Sequence, residues 1–162
     1  MVNTDPFLFA GLFASLCLLC GSLALIDLRR GIIPDPLNLA VAGLGLAEAA
    51  FEGGATAGLE AITEAVAVGV IFWLFRHLYF AVRKIQGLGL GDVKFLAAAA
   101  IWVGIAGIPM LLLVAALSAL LAIGGAQLAG QSLTRQTSIP FGPFLALGLL
   151  STLAAQEWLS LI

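Results

Sequence analysis

Charge is what this sequence has least of. Only 10% of its 162 residues are Asp, Glu, Lys or Arg, while 62% are hydrophobic, and the mean hydropathy is +1.14. Soluble domains carry roughly a quarter charged residues, so the composition excludes a water-soluble globular fold and indicates an integral membrane protein. Cysteine is nearly as scarce. Cys17 and Cys20 stand as Cys-Leu-Leu-Cys inside an apolar run, with no second pair and no histidine nearby. A structural zinc site needs about four ligands, so no metal is expected, and small-residue helix packing is the reading of that string. Gly87-Leu88-Gly89 lacks both a third glycine at Gly-x-Gly-x-x-Gly spacing and a Gly-Lys-Ser/Thr ending, which excludes a phosphate loop. Neither a cofactor nor a nucleic-acid partner is expected. The opening run lacks a basic start and a small-residue cleavage site, so it does not read as a cleaved secretory signal.

What is present is a series of apolar runs separated by short connectors. The first goes from Phe7 to Ile26, the second from Leu37 to about Phe51, and the third from about Leu59 to Ala81. The fourth goes from Val93 to about Gly107, the fifth from Ile108 to Leu128 after a tight Gly107-Ile108-Pro109 connection, and the sixth from Phe144 to about Leu161. Runs near 20 residues are long enough to cross a bilayer as helices. The expectation is an all-α bundle of about six transmembrane helices, forming one membrane domain over residues 1–162, with a glycine-rich loop before the fourth helix.

The few charges are strongly segregated under that count. Arg29, Arg30, Arg83, Lys84, Lys94 and Arg135 fall in the first, third and fifth loops, with Arg76 at the edge of the third. Asp5, Glu48, Glu52, Glu60, Glu64 and Glu157 fall on the other side, which has no Lys or Arg. The positive-inside rule then places both termini outside and the basic loops in the cytoplasm.

Two aspartates end up on the basic side. Asp27 ends the first apolar run in Ile26-Asp27-Leu28-Arg29-Arg30, ahead of Ile33-Pro34-Asp35, and Asp92 follows glycines in Gly87-Leu88-Gly89-Leu90-Gly91-Asp92-Val93-Lys94. An acid beside hydrocarbon is expensive, and is by default a functional hypothesis. Two facing carboxylates share a proton readily, so one activates water while the other supports the oxyanion and protonates the leaving amine. Gly87, Gly89 and Gly91 free the backbone before Asp92, and are expected to line a narrow groove where an extended peptide comes close. Lys94 and Pro34 join them as expected loop or substrate-contacting residues. Lys94 reads either as a membrane-surface anchor or as a support for Asp92, Asp35 as turn-forming with a possible supporting role, and His77 as interfacial.

These strings resemble the type IV prepilin leader peptidases, membrane aspartic proteases of the GxGD class. Gly89-Leu90-Gly91-Asp92-Val93-Lys94 matches the GxGD string and its lysine, and Asp27 to Asp35 is similar to the segment with the first catalytic aspartate. Ile139-Pro140-Phe141-Gly142-Pro143-Phe144-Leu145-Ala146 is similar to the string opening the family's last helix. The resemblance implies an aspartic endopeptidase of the bacterial inner membrane with Asp27 and Asp92 as its catalytic pair. It would act on prepilin or pseudopilin precursors, removing a short basic leader at the cytoplasmic face. Larger members also N-methylate the new amino terminus and carry two Cys-x-x-Cys pairs upstream, which this sequence does not contain, so methyl transfer is not expected of it. Two other classes stand beside this reading. One is an intramembrane protease of the presenilin or signal-peptide-peptidase kind, whose first motif is Tyr-Asp where this chain has Ile26-Asp27. The other is a non-enzymatic transporter or assembly factor using Asp27 and Asp92 for a cation or proton, against which the lack of an internal repeat with paired broken helices weighs.

Overall fold

The structure, a computed structural model, describes residues 6–84, 87–129 and 140–160. Four α-helices account for nearly all of them: α1 Pro6–Arg30, α2 Asp35–Arg83, α3 Leu90–Leu128 and α4 Gly142–Ser160. No strand occurs among the described residues. The spans Ala10–Arg30, Asp35–Arg83 and Leu90–Leu128 are long and apolar enough to cross a membrane. Asp5, Arg135, Ile139, Leu161 and the polar stretch around Arg135 lie outside the described residues.

Glycine and proline set the boundaries. α1 ends where Gly31 takes φ 64° and its N–H closes on the Asp27 carbonyl at 2.7 Å. Pro34, extended at φ −67° and ψ 132°, is the N-cap of α2, a role its missing N–H suits. The two long helices are each interrupted once. Gly54 in α2 has φ 69° and ψ −162°, and Gly104 in α3 has φ 68° and ψ 169°, a region open essentially to glycine alone. The interruption in α3 therefore falls at Gly104 and not at the expected Gly107-Ile108-Pro109; Pro109 sits within the helix about a turn later.

Contacts give the limb directions. Along residues 35–53, Asn38 reaches Gly91 while the Val41 carbonyl accepts a hydrogen bond from Trp102 Nε1 at 2.9 Å, so this limb runs with the start of α3. Along 55–83, Glu64 reaches Ile105 and Arg76 reaches Leu88, so this limb runs against it. The chain thus folds back at Gly54.

α3 is the centre of the packing. Its Phe95, Leu96, Ala99, Ala100 and Leu111 are fully buried, against Leu16 and Leu23 of α1, Val41 and Val68 of α2, and Leu145 and Leu149 of α4. Leu18, Val82, Leu121 and other large apolar side chains point outward, the arrangement a bilayer solvates. With lipid outside, close packing holds helices together, and small residues permit it. A side-chain carbon at Gly148 would stand 2.5 Å from the Leu111 carbonyl oxygen, and one at Gly45 would stand 2.6 Å from Trp102 Nε1.

At Gly104 the freed backbone groups are answered by side chains. Glu64 Oε2 accepts the Ile105 N–H at 3.1 Å, and Gln156 Nε2 donates to the Val103 carbonyl at 3.0 Å. Irregular backbone at membrane depth needs such replacement.

Candidate active site

Asp27 lies in the last turn of α1, one turn before the Gly31 stop, and is only 5% exposed. Its Oδ2 accepts the N–H of Gly142 at 2.7 Å. Gly142 opens α4, and the geometry depends on its lack of a side chain, because a carbon there would stand 2.7 Å from the same oxygen. Asp92 is the third residue of α3 and half-buried. Its Oδ2 accepts the N–H of the N-cap Gly89 at 3.3 Å, so it reaches back over the first turn from a position inside the helix. Both carboxylates thus sit at helix starts, where unpaired N–H groups favour negative charge. They also lie within electrostatic reach of each other. α1 and α3 themselves share no close backbone contact among the described residues; each packs on α2 and α4. The two acids therefore come from separate helices whose backbones are not in close contact.

The surrounding residues fix the start of α3. Arg76 Nε donates to the Leu88 carbonyl at 3.0 Å, and Asn38 Nδ2 approaches the Gly91 carbonyl at 3.5 Å, at the outer limit of a hydrogen bond. Lys94 Nζ contacts both carboxylate oxygens of Asp35 at 2.7 Å. This corrects one sequence expectation: the lysine pairs with Asp35 at the head of α2 and not with Asp92. It also gives Asp35 a definite partner. His77 is exposed, with its ring centroid 4.0 Å from that of Trp73.

The three loop glycines are each approached closely by this chain's own side chains. A carbon on Gly87 would stand 2.6 Å from the Tyr79 ring, one on Gly89 2.9 Å from Asp92 Oδ2, and one on Gly91 3.0 Å from Ile33 Cβ. The space each leaves is already filled by this chain. A cavity of about 640 Å³ lies elsewhere, between the two limbs of α2 and α3. Its α3 lining includes Leu90, Lys94, Ala97 and Ile101, which at 100° per residue lie on the face opposite Asp92.

Gly142, Arg76, Tyr79 and Asn38 are the neighbours that sequence reasoning missed. A signal existed for the first. Proline is favoured in a helix's first turn, so Gly142-Pro143 marks a start whose leading N–H has no partner within the helix. The others are distant in sequence and carry no local signal.

A profile described as the type IV leader peptidase family matches residues 12–124. The chain is 37% identical over 158 residues to the prepilin leader peptidase/N-methyltransferase of Escherichia coli strain K12, covering 96% of this chain and 67% of that protein. It is 34% identical over 139 residues to the protein of the same name from Burkholderia pseudomallei strain 1026b, covering 85% and 44%. For the one from Xanthomonas campestris pv. campestris it is 34% identical over 140 residues, covering 83% and 47%. The chain thus spans two-thirds of the first relative and less than half of the other two. No solved structure matches it.

Proposed function

The chain belongs to the type IV leader peptidase family, and from that premise we propose that it is a membrane aspartic endopeptidase, with Asp27 and Asp92 as its catalytic pair. Its substrates are prepilin or pseudopilin precursors, from which it removes the short basic leader. The observation that carries the reading is that two carboxylates from separate helices, each accepting a backbone N–H at a helix start, lie within electrostatic reach of each other. One carboxylate takes a proton from a water molecule as its oxygen bonds to the scissile carbonyl carbon; the other gives its proton to the amide nitrogen as the C–N bond breaks. The reading concerns the peptidase in the relatives' names and not the methyl transfer.

Orientation follows from charge. Arg29, Arg30, Arg76, Arg83 and Lys94 belong to the end that holds the aspartates, and Glu48, Glu64 and Glu157 to the other. The positive-inside rule supports a cytoplasmic site. If the limbs on either side of Gly54 and of Gly104 each cross the membrane, the chain makes six crossings with both termini outside.

The test is cleavage of a purified pilin-like precursor by Asp27→Asn and Asp92→Asn enzymes whose helix content and detergent elution match the parent. Each is expected to lose activity on the order of 10³-fold or more. Near-parental cleavage by either folded variant would remove the paired-acid mechanism, whereas a parent protein that cleaves no precursor would leave the non-enzymatic, cation-binding alternative.

A further inference from the structure

The two carboxylates are held unequally, and the inequality separates their roles. We propose that the Gly142 N–H is the positioning group of the site, and that it makes Asp27 the base that takes the water's proton and Asp92 the acid that protonates the leaving amine. This rests on the peptidase reading above and refines it.

The start of α4 supplies one donor and no more. Pro143 has no N–H, and the N–H groups of Phe144 and Leu145 both go to the Phe141 carbonyl at 3.1 Å. The Gly142 N–H is left over and points at Asp27. Its 2.7 Å length lies in the range of charge-assisted bonds between an N–H and an ionised oxygen. The Gly89 bond to Asp92, at 3.3 Å, is longer than ordinary N–H···O bonds. An N–H donor favours the ionised form of the oxygen it meets, so the short bond to Asp27 Oδ2 holds that carboxylate in its basic form and leaves Oδ1 free to receive a proton. Asp92, half-buried and loosely tied, keeps the freedom to carry a proton to a leaving group and recover it.

The proton count closes. Water gives one proton to Asp27 Oδ1 as its oxygen adds to the carbonyl carbon, and Asp92 gives its proton to the amide nitrogen as the C–N bond breaks. The products are a carboxylic acid and an amine, with Asp27 protonated and Asp92 ionised; one proton passed from Asp27 to Asp92 restores the start. Gly142 touches neither substrate nor reacting atoms, so it is a positioning residue.

Infrared spectra of enzyme labelled with carbon-13 aspartate, recorded near neutral pH, test the assignment directly. Subtracting the Asp27→Asn spectrum from that of the parent is expected to isolate a carboxylate band, and subtracting Asp92→Asn a protonated-carboxyl band. The reverse pattern, or two carboxylate bands, would overturn the assignment. Gly142→Ala supplies a second readout. Its kcat is expected to fall about 100-fold, the usual cost of misplacing a reacting group by an ångström, while KM stays within about twofold, and the Asp27 band shifts while that of Asp92 does not. An unchanged kcat in Gly142→Ala, or a shift of both bands, would sink the proposal. Should Gly142→Ala fail to fold, the two Asn difference spectra decide alone. The two failures are distinguishable: Asn variants that still cleave refute the catalytic pair, whereas inactive variants with exchanged bands refute only the division of roles.

Discussion

At both ends of the bundle an acid accepts a hydrogen bond from a backbone N–H, yet the two ends do different things with it. At one end Asp27 takes the N–H of Gly142 and Asp92 that of Gly89. At the other, Glu64 takes the N–H of Ile105 at 3.1 Å. Glu64 answers a break within one helix, and Gln156 answers a carbonyl on the other side of the same break, so the acid there is engaged in holding the backbone. Asp27 and Asp92 hang from two helices without close backbone contact, and lie within electrostatic reach of each other. A backbone hydrogen bond to a half-buried acid therefore does not mark catalysis. Convergence of two such acids from separate helices is the feature on which the proposed catalysis rests.

The sharpest way to break this comparison is to make the same change at both ends. Replacing a carboxylate by its amide at Asp27 is expected to abolish turnover. The corresponding Glu64→Gln keeps an oxygen for the Ile105 N–H, so turnover is expected to stay within about twofold and only thermal stability to fall, by roughly 1 kcal/mol for a weakened hydrogen bond. Cleavage of a precursor beside a thermal melt in the same detergent checks both. A Glu64→Gln enzyme as inactive as Asp27→Asn would erase the distinction between the ends.

A second, smaller effect concerns how the start of α3 is held. Valine at position 91 would push a carbon toward Ile33 Cβ, which already stands 3.0 Å from where that carbon must lie, and the branch restricts the backbone just before Asp92. Gly91→Val is expected to lower single-turnover cleavage at saturating precursor about tenfold or more, as a displaced catalytic group does. Adding Ile33→Ala is expected to recover part of the rate, since it removes the neighbour being struck. No recovery would mean that the backbone restriction alone is responsible.

Much of this was legible in the sequence, for identifiable reasons. Apolar runs and scarce charge announce a membrane helix bundle, because hydrocarbon tolerates little else. Asp27 and Asp92 stood out as candidates because an acid beside hydrocarbon is costly and invites a functional reading. The loop glycines were legible as special but not in their use: a missing side chain says that something comes close, not whether it is a substrate or, as here, Tyr79 and Ile33. The partner of Lys94 was hidden for a related reason. Its neighbour in sequence is Asp92, but at helical spacing two residues apart point to different faces, and the face of Lys94 meets Asp35 across 59 residues of chain. The break at Gly104 was hidden because Pro109 gives the louder local signal, while the groups that stabilise the break, Glu64 and Gln156, lie about 40 and 50 positions away.

The smallest expected effects separate the two interruptions. Gly54 and Gly104 share nearly the same φ, 69° and 68°, so alanine pays a similar backbone penalty at either, on the order of 1–3 kcal/mol. Their surroundings differ. A carbon at position 104 would stand 3.0 Å from Glu64 Oε2, the oxygen that holds the Ile105 N–H, whereas one at position 54 meets nothing within 4 Å. Gly104→Ala must therefore displace the carboxylate that satisfies the break, while Gly54→Ala bears the backbone penalty alone or relaxes it by local rearrangement in an exposed turn. The expected order is Gly104→Ala less stable than Gly54→Ala by roughly 1 kcal/mol, the usual cost of one weakened hydrogen bond, with Gly54→Ala within a few degrees of the parent in Tm and both near parental in turnover per folded enzyme. In a Glu64→Ala background the difference should vanish, because the oxygen that the new carbon strikes is gone. A gap between the two alanine variants that survives removal of Glu64 would show that the break in α3 is held by something other than this carboxylate.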